Sequence, residues 1–176
     1  SGLGRTGRMW ASEHWETTPD IMCLAKGIAG GIPMGATLVK SDILSVMKKG
    51  EHSSTFGGNP VSCAAGTATI QALTQDNLLK NAVMMGEKLF QGLTEMKSKH
   101  SIIREVRGKG LMIGVELKFE VKDILLEGIK NGLLLLYSGR NILRFLPPLV
   151  ISDEDVTNTL QILDKLLTNE EGRKNV

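Results

Sequence analysis

The chain has 176 residues, of which 41% are hydrophobic and 23% charged, so it can bury a core and is too apolar for a disordered tail. Its 21 basic and 19 acidic residues leave a net charge of +2, too weak a field to indicate a nucleic acid as partner. Apolar runs such as Leu133–Tyr137 fall far short of the roughly 20 residues that cross a bilayer, so we expect no membrane span.

The cysteines and histidines exclude two further classes of protein. Two cysteines (Cys23 and Cys63) and three histidines, none with ligand-like spacing, predict neither a metal site nor a disulfide framework. Free thiols fit a reducing cytoplasm, and the segment that follows Ser1 does not resemble a signal peptide.

Residues 1–59 combine short apolar stretches with glycine-rich turns. Ile21–Ala25 and Ala36–Val39 predict short buried strands followed by loops. Asn59 before Pro60 predicts a helix start, because proline lacks the donor that would be unpaired there. This helix should run to about Leu73, and its small residues would allow close packing.

The rest of the chain alternates helices and strands. A long helix from Asp76 links two predicted domains, residues 1–97 and residues 98–176. In the second domain we expect strands at Ile102–Val106, Leu111–Leu117, Leu133–Tyr137 and Ile142–Phe145, helices at Lys122–Lys130 and from Ser152, and a polar tail at Asn169–Val176. The fold class is therefore α/β, with a small α+β domain at the end.

The segment Gly2–Gly7 matches the dinucleotide pattern G-x-G-x-x-G. No strand precedes it and no apolar helix follows it, so a surface loop is favoured over a nucleotide-binding module. The module is kept as an alternative.

Lys26 follows an apolar stretch and precedes Gly27, Gly30 and Gly31. A lysine at the end of a buried strand is partly desolvated, which makes its neutral amine accessible, and glycines let a flat group approach the backbone. Those are the needs of a Schiff-base lysine. The alternative is a lysine whose head group lies in water.

Two further clusters are candidates for binding an anion. Ser54 and Thr55 lie in a loop that leads through two glycines to the Asn59 helix start, which suits a phosphate, although such a loop often only caps a helix. Arg144 lies between apolar residues in a predicted strand and should need a carboxylate, either from a ligand or from the protein as a structural ion pair.

These segments together resemble the class III, pyridoxal-phosphate-dependent aminotransferases of fold type I. The resemblance covers nearly the whole chain and is strongest to the acetylornithine aminotransferase group. It includes the branch whose lysine or ornithine precursors are attached to an amino-group carrier protein. The matching stretches are Gly2–Gly7, Pro19–Gly27, Gly31–Gly35, His52–Pro60, Arg107–Leu117 and Arg144–Ile151.

The resemblance implies a role for each candidate residue. Lys26 would form the internal aldimine with pyridoxal phosphate and move the substrate proton. Thr55, with Ser54 beside it, would bind the cofactor phosphate of the neighbouring subunit, so the protein would be a homodimer. Arg144 would bind the α-carboxylate of glutamate or 2-oxoglutarate.

The implied reaction moves an amino group between glutamate and an ω-aldehyde, such as N-acetylglutamate semialdehyde or its carrier-bound equivalent, in arginine or lysine biosynthesis. The resemblance also implies that the chain is the C-terminal portion: part of the cofactor-binding large domain and all of the small domain. The alternative is a non-catalytic remnant or assembly polypeptide of the same fold.

Overall fold

The computed structural model describes residues 1–174, which form two compact units. The first unit comprises Ser1–Gly4 and Arg8–Leu78, and the second comprises Arg5–Gly7 and the chain from Leu79 onward. The sequence predicted a boundary at residue 97. The structure divides earlier, because the long linking helix contributes its buried side chains to the core of the second unit.

The first unit contains a two-stranded antiparallel sheet of β1 (Ile21–Leu24) and β2 (Ala36–Val39). Short 3-10 helices lie at Ala11–Trp15 and Lys26–Ala29, and a single-turn helix, α1, covers Ser41–Leu44. Both strands were predicted to be buried. That prediction is wrong, since the strands pair only with each other and all their residues are exposed or half-buried.

Helix α2 (Pro60–Gln75) begins where the sequence predicts. The Asn59 side chain accepts a hydrogen bond from the Ser62 backbone N–H at 2.9 Å, which satisfies one free donor of the first turn. Gly66 allows close packing, because a Cβ there would lie 3.1 Å from Met34 Sδ. The small residues of α2 thus hold the segment that follows Lys26 against this helix.

The second unit has a four-stranded antiparallel sheet and three helices. The strand order is β3-β4-β6-β5. The strands are β3 (Ile103–Lys109), β4 (Met112–Leu117), β5 (Leu136–Ser138) and β6 (Ile142–Phe145), and the helices are α3 (Leu78–Lys99), α4 (Lys122–Lys130) and α5 (Asp153–Lys174).

The hydrophobic core lies on one face of this sheet. Alternate residues of β4 and β6 are buried, and Val115 pairs with Leu143 in the register. Leu93 of α3 and Leu163 of α5 are completely buried against them. The opposite face is half-exposed and carries the charged residues of β3 and β4.

Three predicted boundaries are wrong. Strand β3 continues past the predicted end at Val106 to Lys109, because it pairs with β4 as far as Met112. Strand β5 covers only three residues, Leu136–Ser138, because only these pair with β6. Helix α5 continues through the predicted polar tail to Lys174, because Leu166, Leu167 and Glu170 are buried there. Its predicted start is confirmed: the Ser152 hydroxyl accepts from the Asp155 N–H at 3.1 Å, and the Asp155 carboxylate accepts from the Ser152 N–H at 2.9 Å.

His100 connects the end of α3 to α5. Its two ring nitrogens lie 2.9 Å from Asp164 Oδ1 and 2.9 Å from Glu171 Oε2, and the side chain is only 2% exposed. Lys99 Nζ binds Asp164 at 2.6 Å. The bonds from Lys99 and His100 lower the pKa of Asp164. At Glu171 burial raises the pKa, but the bonds from His100 and the Ile102 N–H outweigh burial, so the pKa is lowered overall.

Over residues 1–174, no helix is long and apolar enough to cross a membrane. The same residues include no group of three or more His, Cys, Asp or Glu side chains placed to hold a metal ion.

Candidate active site

Lys26 lies two residues after the end of β1 and has a left-handed backbone, with φ of 55°. A non-glycine residue in an uncommon backbone region costs on the order of 1–3 kcal/mol, and such residues cluster at functional sites. The turn that Lys26 begins ends at Gly30, whose φ of 59° is also left-handed. Glu16 and Asn77 also have a left-handed backbone, but of these described residues Lys26 is the one that lies among glycines.

The Lys26 side chain is exposed. The sequence predicted partial desolvation at the end of a buried strand. That prediction is wrong for the described residues, because β1 is itself uncovered.

Open space surrounds the glycines beside Lys26. A Cβ added at Gly27 or at Gly31 would meet no heavy atom within 4 Å, whereas one at Gly30 would lie 3.1 Å from Thr69 Oγ1. A planar group attached at Lys26 can therefore approach the backbone at Gly27 and Gly31. The residues present fit a flat, aldehyde-bearing cofactor.

Ser54 and Thr55 lie in an exposed loop that leads directly into α2. The loop closes through the Gly57 N–H, which donates to the Ser54 carbonyl at 3.3 Å, and Gly58 takes a left-handed φ of 68°. Neither hydroxyl bonds to another residue among those the structure describes. Both remain available to an anion near the helix N-terminus.

Arg144 lies on the half-exposed face of β6, between the buried Leu143 and Phe145. The predicted alternation is confirmed, but the arginine is on the outer side of it. Within residues 1–174 no carboxylate pairs with Arg144. The structural ion pair left open by the sequence is therefore not found there.

Glu116 is a carboxylate that the strand register places near Arg144. It lies two residues along β4 from Gly114, the partner of Arg144 in the register. Glu116 already accepts from Arg107 at 2.9 Å and from Arg104 at 3.0 Å, which lowers the pKa of its carboxyl group. Because its oxygens are occupied, Arg144 stays free for a ligand.

Arg144 also lines a pocket of about 190 Å³ in the second unit. The rest of the lining is largely apolar and includes Leu133–Leu136 and Leu146–Pro148. One cation in such a lining suits a small carboxylate with an aliphatic body.

The residues of the G-x-G-x-x-G segment do not form a nucleotide site. Arg5–Gly7 pack with the second unit, where the Leu111 N–H donates to the Arg5 carbonyl at 3.0 Å. A Cβ at Gly110 would lie 2.6 Å from the Thr6 carbonyl carbon. This close packing of Arg5–Gly7 within the second unit favours a structural role for the segment over a dinucleotide site.

The model of the family described as Aminotransferase class-III matches residues 1–167. The chain belongs to this family. Its members use pyridoxal phosphate, and the predicted resemblance is confirmed.

The chain is similar to relatives named acetylornithine and ornithine aminotransferases. An acetylornithine aminotransferase of Caldanaerobacter subterraneus subsp. tengcongensis is 44% identical over 169 residues, which are 96% of this chain and 43% of the relative. Ornithine aminotransferase 1 of Staphylococcus saprophyticus is 40% identical over 94% of this chain and 42% of its own length. The class-III chain thus spans less than half the length of these relatives.

Solved structures share the fold. The ornithine aminotransferase of Toxoplasma gondii gives a TM-score of 0.92 at 34% identity, over 98% of this chain and 42% of that one. The acetylornithine aminotransferase of Elizabethkingia anophelis gives 0.90 at 33% identity, over 96% and 45%. The predicted fold class, part of a fold type I large domain with a small α+β domain, is confirmed.

The structure places Lys26, Ser54 and Thr55 in the first unit and Arg144 in the second. Sequence reasoning missed two side chains of the second unit that bind the loop after Arg144, namely Arg5 and Asn81. The local signal for these bonds was Pro147-Pro148. Prolines have no N–H, so the carbonyl groups of such a loop need hydrogen-bond donors from other parts of the chain.

Proposed function

We propose that the protein is a pyridoxal-phosphate-dependent aminotransferase that moves an amino group between glutamate or 2-oxoglutarate and an ω-aldehyde such as N-acetylglutamate semialdehyde. The family match and the relatives named acetylornithine and ornithine aminotransferases support this reaction. A carrier-bound form of the aldehyde stays a prediction of the sequence.

The observation that carries the proposal is the left-handed Lys26 with open space at Gly27 and Gly31. When bound, the cofactor supplies an aldehyde for amines and a ring that stabilises negative charge at the substrate α-carbon. Lys26 Nζ holds the cofactor and then takes and returns the proton at that carbon.

The Ser54 and Thr55 hydroxyls are proposed to donate to the cofactor phosphate, next to the N-terminus of α2. Phe56 and Val61 flank this loop and are 81% and 69% exposed. Apolar side chains so placed are typical of an interface. We therefore propose that the loop packs on a second copy of the chain and serves that copy's cofactor.

Arg144 is proposed to bind the α-carboxylate of glutamate or 2-oxoglutarate. Its planar guanidinium can donate two parallel hydrogen bonds to one carboxylate, which fixes the substrate in orientation as well as position. The apolar lining of its pocket excludes water from that contact.

Two exposed cysteines, Cys23 and Cys63, are free thiols in the structure. Thiols of this kind are stable in a reducing compartment, which supports a cytoplasmic location.

A test of the function compares two lysines of the protein. Lys26→Ala should reduce amino transfer from glutamate by about 10³-fold or more, because both the cofactor anchor and the proton carrier are lost. Lys49→Ala, which removes another exposed lysine of the first unit, should leave the rate unchanged. Retained transfer in Lys26→Ala contradicts the assignment.

The second candidate is a non-catalytic polypeptide of the same fold, and the exposure of Lys26 is the observation that favours it. This candidate predicts no amino transfer even with both lysines intact and saturating cofactor. The wild-type protein in the same assay therefore separates the two.

A further inference from the structure

The segment Leu146–Ile151, here called the proline loop, begins two residues after Arg144 on the chain. Proline has no N–H, so Pro147 and Pro148 remove two donors from this loop. Within the loop, the Ile151 N–H donates to the Pro148 carbonyl at 3.1 Å. Three other carbonyls of the loop are bound by side chains from distant parts of the chain.

Asn81 on α3 makes two of these bonds. Its amide Nδ2 donates to the Leu149 carbonyl at 2.7 Å and to the Ile151 carbonyl at 3.0 Å. Both acceptors are carbonyls, so the amide orientation is fixed by chemistry. Asn81 precedes Ala82, which is fully buried, and the donor is therefore set on a rigid part of the core.

Arg5 makes the third bond, from its guanidinium to the Pro147 carbonyl. Its own backbone is held by the Leu111 N–H, and the following Thr6 packs closely on Gly110. Burial of the guanidinium lowers the pKa of Arg5, as expected for a cation bound to a carbonyl rather than to a carboxylate.

Asn81 and Arg5 bind a part of the chain that lines the pocket of Arg144. Pro147 and Pro148 line that pocket, and Arg144 lies three residues before the first of them. No side chain of the described residues pairs with the Arg144 guanidinium; its backbone lies in β6, which continues through Phe145 into the proline loop.

We propose that Asn81, assisted by Arg5, is a positioning residue for carboxylate binding: it fixes the proline loop and through it the direction of Arg144. This inference rests on the proposed role of Arg144 in binding the substrate carboxylate. Asn81 itself does not touch the substrate.

The test is a double-mutant cycle in the 176-residue chain, with glutarate as the probe and its affinity measured by calorimetry. The Arg144 side-chain NMR signal is a second readout in the variants that keep the arginine. Arg144→Met should weaken glutarate binding about tenfold, and Asn81→Leu about fivefold in the wild-type background. In the Arg144→Met background Asn81→Leu should add less than about twofold, because its effect passes through the arginine.

His100→Gln is the matched control. It removes buried hydrogen bonds at the other end of α3, away from the proline loop, and should leave glutarate affinity within about twofold of wild type. Asn81→Leu should shift the free Arg144 signal, and His100→Gln should not.

The outcomes separate the inference from the proposed function. If Arg144→Met weakens binding and Asn81→Leu does not, or does so equally in both backgrounds, the positioning role is overturned and the role of Arg144 stands. If Arg144→Met has no effect, the role of Arg144 fails and the inference fails with it. Should Asn81→Leu not fold, Arg5→Met removes the other donor, and unchanged affinity there overturns the inference.

Discussion

The two units of the chain differ in where the candidate site residues and the buried core lie. The first carries Lys26, Ser54 and Thr55 but buries few apolar residues (Ile28, Ala29 and Leu73) and exposes many. The second buries the whole hydrophobic core cluster and carries Arg144 at its edge. In enzymes, binding and catalytic residues lie disproportionately on exposed loops. The exposed apolar residues of the first unit indicate that it needs a covering surface.

The largest expected contrast is between two leucines. Leu163→Ala should destabilise the chain by about 2–5 kcal/mol, because the side chain is completely buried and a cavity remains. Leu44→Ala, at a leucine of the first unit that is 51% exposed, should change stability by less than about 0.5 kcal/mol. Urea unfolding measures both, and equal losses would contradict the division between the units.

Two helical glycines of the second unit, one closely packed and one in open space, should respond in opposite ways to substitution by alanine. A Cβ at Gly86 would lie 2.4 Å from the Gly110 carbonyl carbon, so Gly86→Ala should cost about 1–3 kcal/mol despite the better helix propensity of alanine. Gly172→Ala meets no atom within 4 Å and should raise stability by up to about 1 kcal/mol. Thermal unfolding decides, and a stabilising Gly86→Ala would show that α3 and Gly110 are not in contact.

The ion cluster at His100 predicts acid sensitivity of the second unit. The pKa values of Asp164 and Glu171 are lowered in the folded chain from 3.8 and 4.5. The stabilisation they provide is therefore complete above those values and is lost as the pH falls through the lowered ones.

In His100→Gln this acid-dependent loss should be shallower, because a partner that lowers both pKa values is gone. Unfolding curves at several pH values between about 5 and 2 check this, with Glu154→Gln as a control at an exposed carboxylate of α5 outside the cluster. A steeper loss in His100→Gln would contradict the geometry of the cluster.

The smallest effects concern helix caps, one in each unit. Asn59→Ala should cost about 1 kcal/mol and raise hydrogen exchange mainly in the first turn of α2. Ser152→Ala should do the same at α5. If either variant raised exchange chiefly in the other unit, the division of the chain into two compact units would be contradicted.

Local signals predicted much of the fold. The start of α2 at Asn59-Pro60 and the bounds of Lys122–Lys130 follow from caps and periodicity, which act over a few residues. The length of α5 and the short β5 depend on tertiary contacts, which no local pattern records.

The candidate site shows the same limit. Motif and resemblance pointed to Lys26, Thr55 and Arg144, and the sequence left an exposed Lys26 head group as the alternative to a desolvated one. Arg5 and Asn81 could not be predicted, because their bonds to the proline loop span 142 and about 70 residues of sequence. Such contacts appear only when the chain is folded.

The most direct measurement treats the purified chain with one equivalent of pyridoxal phosphate, reduces it with borohydride and maps the modified peptides. We predict a single pyridoxyl group on Lys26 Nζ, with Lys26→Arg unmodified under the same conditions. Label spread over exposed lysines such as Lys48 and Lys49, with Lys26 not preferred, would contradict the central claim.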